Sequence, residues 1–244
     1  MEKTGTYQFT TESYLLDFQG KVTIPMIGNY LLHVAGEHAG ERGFGFEYMQ
    51  KHRCTWVLSR LAIEMFAYPK MSQPITVRTW VEDAARFFTN RCFEILDKDG
   101  KPIGYARSVW AAIHLDTRKP IDLSALGELK DYTVELPCPI EKPGKIHPAE
   151  DKDEAGESYT VKYSDLDING HLNSIKYMEH LLDLFGIDLY KEKEIRRFEI
   201  AYQSEGKYGM TLSLHKKETA PGIYNLSICD GEGKAICRAA VAWR

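Results

Sequence analysis

DKDGKPIGYARSVW (residues 97–110) and DGEGKAICRAAVAW (residues 230–243) are one pattern written twice in a chain of 244 residues. Each opens on an Asp/Gly turn and runs into alternating side chains that end in Trp, as the second arm of a β-hairpin does. Upstream, RLAIEMFAYPKMSQPITV (60–77) is echoed by RFEIAYQSEGKYGMTLSL (197–214). Two β-rich segments can look alike by chance. Here element order and turn placement both repeat, which favours duplication.

Working outward, the first half starts with a strand-like stretch at 7–16 and continues into a helix over 25–41. There Ile27, Tyr30, Leu31, Val34, Ala35 and His38 share one face, and Gly43 follows. Alternating segments come next at 55–66, 75–81, 86–96 and 103–115. The second half repeats the order: a strand at 158–163, a helix over 172–186, then segments near 194–203, 209–217, 222–229 and 234–243. Ile175, Met178, Leu181, Leu182 and Phe185 line that helix, which stops at Gly186. Between the halves, DYTVELPCPIEKPGKIHPAEDKDEAGE (131–157) carries Pro137, Pro139, Pro143 and Pro148 and then a charged run. It reads as an exposed, partly extended connector. The expected organisation is therefore 1–130, a linker over 131–157, and 158–244. One helix and five or six antiparallel strands, twice, imply an α+β double unit in which each sheet curls around its own helix.

Composition excludes several classes. A net charge of -4 and 43% apolar residues suit a globular protein with no bulk field for nucleic acid. Five cysteines, odd in number and without paired spacing, point to reduced thiols and to neither a disulfide framework nor a zinc site. The N-terminal residues have no signal-like apolar core, and no run approaches the roughly 18 apolar residues of a membrane span. A soluble, cytoplasmic protein without cofactor or metal is expected.

The chemistry concentrates in SDLDINGHLNSIKYMEHLL (164–182), where Asp165, Asp167, Asn169, His171 and Asn173 alternate into the start of the second helix. A helix N-terminus offers backbone N–H groups and positive potential, and polar side chains there can hold a carbonyl oxygen that gains charge. DLDING also resembles the opening of an EF-hand, but the position that needs Glu holds Lys176. No G-x-S-x-G supports a serine triad. Helix capping by Asn169 or Asn173 is the plain alternative. Spacing by itself leaves capping and catalysis equally open.

The stretch DLDINGHLNSIKYMEHLLD resembles the signature of the plant and bacterial acyl-acyl-carrier-protein thioesterases. So do RCTWVLSRLAIEMFAYPKMSQPITVRTWV (53–81), SVWAAIHLDTRKP (108–120) and AYQSEGKYG (201–209). The resemblance covers roughly residues 7–240. It implies a tandem hotdog fold, with catalytic positions falling on Asp167, Asn169, His171 and Glu205. Many plant members have Cys after that glutamate, where this chain has Gly206. A thiol nucleophile is therefore ruled out at that position, and water activation is favoured.

On that reading Glu205 and His171 deprotonate a water, and Asn169 holds the water or the carbonyl. Backbone N–H groups near Gly170 and His171 stabilise the oxyanion, and Asp167 orients Asn169 or fixes the imidazole tautomer. Asn173 and Gly170 are further expected substrate contacts. Aligning Tyr30 with Tyr177 puts Gly20, Val22 and Ile24 opposite Asp167, Asn169 and His171, with Tyr68 near Glu205. The first half so lacks the catalytic set, and it is expected to supply the acyl tunnel, with Trp56 and Val57 as candidate chain-length determinants. Plain core packing explains those two equally well. The implied partner is an acyl carrier protein, for which Lys176, Arg196 and Arg197 are candidate docking residues. Hydrolysis of acyl-CoA, dehydration on the same fold, and a non-catalytic acyl-binding module are the rival readings. The double unit is itself a pseudo-dimer, so either a monomer or a homodimer is compatible.

Overall fold

The structure is a computed structural model that describes residues 2–127, 129–150 and 156–244. The chain divides into two compact units, Met1–Lys142 and Pro143–Arg244.

In the first unit β1 (Gly5–Thr10) leads to α1 (Ile24–Glu41), a short α2 (Phe46–Lys51), and then β2 (Cys54–Met65), β3 (Pro74–Ala84), β4 (Thr89–Leu96) and β5 (Pro102–His114). Thr23 caps α1, its Oγ1 accepting from the Met26 N–H, and Pro25 sits in the first turn where no N–H is needed. The predicted apolar stripe packs inward: Ile27, Leu31, Val34, Ala35 and His38 are all buried. Burying each large aliphatic side chain contributes about 1.5–3 kcal/mol. The antiparallel sheet runs β1-β3-β4-β5-β2, and α1 packs against β1 and β3.

The second unit has β6 (Glu157–Thr160), α3 (Ser174–Leu182), α4 (Ile187–Glu192), β7 (Ile195–Tyr202), β8 (Thr211–Ala220), β9 (Ile223–Cys229) and β10 (Ala235–Trp243). Its strands run β7-β10-β9-β8-β6, which is the order of the first unit element for element. The echoing turns are built alike. Asp97 Oδ1 accepts from the N–H groups of Asp99 and Lys101, and Asp230 Oδ1 from those of Glu232 and Lys234. Gly100 and Gly233 take the left-handed φ of 75° and 77° that such a turn requires. The α+β double unit is thus observed as expected.

The connector departs from expectation. The boundary between the units falls inside it, and its first part, though partly exposed, also packs against the sheet of the first unit. The Val134 N–H donates to Val81 O, Trp80 Nε1 to Leu136 O, and Arg107 Nη2 to Cys138 O. Cys138 and Ile140 are buried against Trp80 and Cys92. In the second unit, Ile146 and Ala149 are buried and Glu150 pairs with Arg238 at 2.6 Å. Proline spacing identified an extended chain, but apolar residues placed between prolines can still pack into a neighbouring sheet. Residues 151–155 of the predicted linker lie outside the described residues.

Candidate active site

The expected polar cluster lies wholly in the second unit. Residues 166–172 form a tight hairpin, closed by a Leu166–Leu172 bridge and by the Asp167 N–H donating to His171 O at 2.8 Å. Gly170 turns it with φ 76°. The Asp167 carboxylate accepts from the backbone N–H groups of Asn169 (2.8 Å) and His171 (3.1 Å). Asn173 then caps α3, its Oδ1 accepting from the Ile175 N–H at 2.8 Å.

A second segment, residues 203–207, comes off β7 and lies against this hairpin. The Leu172 N–H donates to Gly206 O at 2.9 Å, and His171 bridges Lys207. The Ser204 N–H is held by Ile236 O. Tyr177, buried on α3, clamps the segment from beneath. Its hydroxyl accepts from the Gly206 N–H at 2.7 Å and donates to Ser204 O at 3.3 Å. Burial pushes the Tyr177 phenol above its ordinary range, so it serves as a neutral donor and acceptor. Held from both sides, Glu205 Oε2 comes to 3.3 Å from His171 Nε2. The two side chains keep 38% and 25% of their surface, enough for water to reach them.

Not every expected role is matched by a contact. Asp167 engages the main chain of the turn, not the imidazole, so tautomer fixing has no contact behind it. Gly170 and His171 precede α3, and their N–H groups already donate to Asp167. That leaves them unsuited as oxyanion donors in this conformation. Asn169 and Gly170 are exposed at the hairpin tip. Trp56 donates its indole N–H to Phe44 O and lines a cavity of the first unit, whereas Val57 is not part of that lining. Lys176 pairs with Glu179 at 2.6 Å and Arg197 with Glu199 at 2.7 Å, so carboxylates stand beside two of the three proposed docking cations. Arg196 is exposed on β7.

The first unit supplies a control and corrects the internal alignment. Asp17 Oδ1 accepts from the N–H groups of Gln19 and Lys21, Leu16 bridges Val22, Gly20 has φ 73°, and Lys21 bridges Lys70. The equivalents of Asp167, Asn169, Gly170, His171 and Glu205 are therefore Asp17, Gln19, Gly20, Lys21 and Tyr68. Keying on Tyr30 and Tyr177 placed the hairpin three residues out, because the cap positions Thr23 and Asn173 set the helix start, not the tyrosines. The Asp-centred turn is common to both units. The imidazole–carboxylate pair occurs in the second.

Sequence reasoning named two supporting residues without giving either a structural role. One is Tyr177. The other is the buried Asp165, whose carboxylate takes hydrogen bonds from Tyr159 (2.6 Å) and the Lys162 N–H (2.7 Å) and meets His180 Nε2 at 3.2 Å. The matching positions in the first unit are Phe9, Leu15 and Tyr30, with Phe9 and Tyr30 in ring contact. A correctly registered comparison of the two halves would have found this polar substitution.

Family models described as the acyl-ACP thioesterase N-terminal and C-terminal domains match residues 2–125 and 148–244. A palmitoyl-acyl carrier protein thioesterase of Arabidopsis thaliana is 27% identical over 81% of the chain. An oleoyl-acyl carrier protein thioesterase of the same plant is 29% identical over 84%. The chain spans 51% and 61% of the lengths of these two relatives. A solved acyl-ACP thioesterase from Bacteroides thetaiotaomicron is 47% identical, with a TM-score of 0.93 over 99% of this chain and 98% of that one. The 12:0-ACP thioesterase from Umbellularia californica shares the fold at 20% identity, with a TM-score of 0.86 over 100% of this chain and 98% of that one.

Proposed function

The chain belongs to the acyl-ACP thioesterase family, and from that premise we propose that it hydrolyses acyl-acyl-carrier-protein thioesters to a free fatty acid and the carrier thiol. The observation that carries the reading is the His171–Glu205 contact at 3.3 Å, held by two mutually hydrogen-bonded segments in the second unit. Lys21 and Tyr68 stand at the matching places in the first.

A thioester carbonyl is activated enough for water to attack it directly. The imidazole–carboxylate pair takes the proton from that water as the oxygen adds to the carbonyl carbon. The C–S bond then breaks, and the sulfur leaves as a thiol with the proton returned by the same pair. Gly206 carries no side-chain nucleophile, which fits a route without an acyl-enzyme. Asp167 shapes the hairpin that presents His171. Asn169, exposed at the hairpin tip, meets the substrate on this reading. The apolar cavity of the first unit, with Trp56 in its wall, supports an acyl-binding role for that unit.

The test is a hydrolysis panel of carrier-linked and CoA-linked acyl chains of graded length, run on the native enzyme and on Glu205→Gln and His171→Gln. Turnover of carrier-linked substrate that collapses in both variants is expected. Near-normal turnover in Glu205→Gln removes the glutamate from the mechanism. Equal or better turnover of acyl-CoA replaces the carrier protein as substrate.

A further inference from the structure

The first unit carries a half-open cavity of about 260 Å³, bounded by the second half of α1, by α2 and by the facing strands. Its walls are largely apolar, with Phe44, Met49, Trp56, Trp110, Leu129 and Tyr132 among them. A guanidinium is set into this lining. Arg91 lies on the helix-facing side of β4 with Thr89 and Phe93, and it is 8% exposed.

Arg91 is held firmly on one side. Both hydrogen bonds recorded for it run from Nη1: to His38 Nδ1 at 3.0 Å and to Thr79 Oγ1 at 3.2 Å. Thr79 in turn donates to Cys92 O, so its oxygen is free to accept. His38 Nε2 faces Lys3 O at 3.1 Å, which makes it the protonated nitrogen and leaves Nδ1 as acceptor. Burial, with Arg91 and Arg42 close by, holds the imidazole pKa down to about 3, so His38 brings no compensating or competing charge.

The other side of the guanidinium is unmet. An arginine carries five N–H donors in a planar fork. Here Nε and Nη2, the pair that grips a carboxylate side-on, have no acceptor among the described residues. Nor does any carboxylate among them pair with Arg91. Arg42, also in the lining, turns to Glu41 at 3.0 Å and to backbone carbonyls, and its Nε–H is buried without a partner. Tyr7, whose charge would offset Arg91, is kept a neutral phenol by its burial and by Glu41. A buried cation with an open bidentate face, in a cavity whose walls are largely apolar, is complementary to an anion with an aliphatic body.

We infer that this cavity is a binding site for a free aliphatic carboxylate, a fatty acid of short to medium length, with its carboxylate on Nε and Nη2 of Arg91 and its chain along Trp56, Trp110 and Phe44. The inference rests on the acyl-binding role of the first unit and adds a head-group preference that an acyl thioester cannot satisfy. A fatty acid is the proposed reaction's product, so the site would let accumulated product occupy the enzyme.

The experiment is titration calorimetry of the whole protein with octanoate and with octan-1-ol, which differ at the head group alone, repeated on Arg91→Gln and Arg91→Lys. Octanoate is expected to bind at least ten times more tightly than octanol. Arg91→Gln should erase that preference, and Arg91→Lys should restore part of it. The wild-type pair decides the matter without any variant, should Arg91→Gln fail to fold. Equal affinity for acid and alcohol overturns the carboxylate inference but leaves the acyl-binding reading standing. Binding of neither overturns both and assigns the open N–H groups to water. A preference for octanoate that survives in Arg91→Gln places the acid elsewhere and also overturns the inference.

Discussion

Tyr177→Phe removes one oxygen atom that touches no charged group, and it should nonetheless disable the proposed hydrolysis. The hydroxyl is the acceptor for the buried Gly206 N–H at 2.7 Å and a donor to Ser204 O at 3.3 Å, the two residues that flank Glu205. A phenyl ring of the same shape leaves the Gly206 N–H without an acceptor. An unpaired buried donor costs about 1–3 kcal/mol. If that cost falls on the 204–206 conformation, the fraction of molecules with Glu205 against His171 drops by about 5- to 150-fold. Steady-state hydrolysis of an acyl-carrier substrate should show kcat lowered within that range. KM should change little, because the hydroxyl reaches only protein. Urea unfolding, run alongside, should show a loss no larger than about 3 kcal/mol, confirming that the fold survives and the bond is gone. A variant that loses stability as stated yet keeps kcat within about twofold would show that Tyr177 does not position Glu205.

A methyl group at Gly206 would sit 3.0 Å from Leu172 Cβ and 3.2 Å from the Tyr177 oxygen. Gly206→Ala should therefore lower both stability and kcat, overpacking costing about 1–3 kcal/mol; unchanged denaturation and turnover would refute the clash. His38 has its folded pKa lowered to about 3. The unfolded chain thus binds a proton the folded one refuses, and stability falls as pH drops from about 6.5 toward 3, by up to about 1.4 kcal/mol per unit. Denaturation across that range should be measurably flatter in His38→Gln, and parallel curves would contradict the assignment. Asp165 pays a desolvation cost, outweighed by hydrogen bonds from Tyr159 and the Lys162 N–H and by His180, so its folded pKa is lowered. Its stabilisation is present above the unfolded value of about 3.9 and is lost as pH falls through the folded value. Asp165→Asn should accordingly be destabilising at pH 7 and nearly neutral near pH 2, and a penalty independent of pH would count against the ionised carboxylate.

Much of this protein is local in origin. The α+β class, the repeat, both helix faces and the hairpin turns follow from periods and turn residues that any window of the chain displays. Asp97–Gly100 and Asp230–Gly233 state their geometry within four residues. The hairpin at 166–172 is likewise self-contained, since Asp167 closes it with its own neighbours, and the same turn at Asp17 shows that it forms without an imidazole–carboxylate pair. What local pattern could not supply is anything that depends on two distant segments meeting. Placing Glu205 on His171 takes a backbone bond from Leu172 to Gly206 and a tyrosine from a third segment. The packed connector, the Asp165–His180 pair and the half-satisfied guanidinium of Arg91 are of the same kind. Each depends on which segments the folded unit brings together, not on neighbours in the chain. Alternation and capping determine where a strand or helix lies, whereas hydrogen-bond satisfaction in a buried site is a property of the assembled unit.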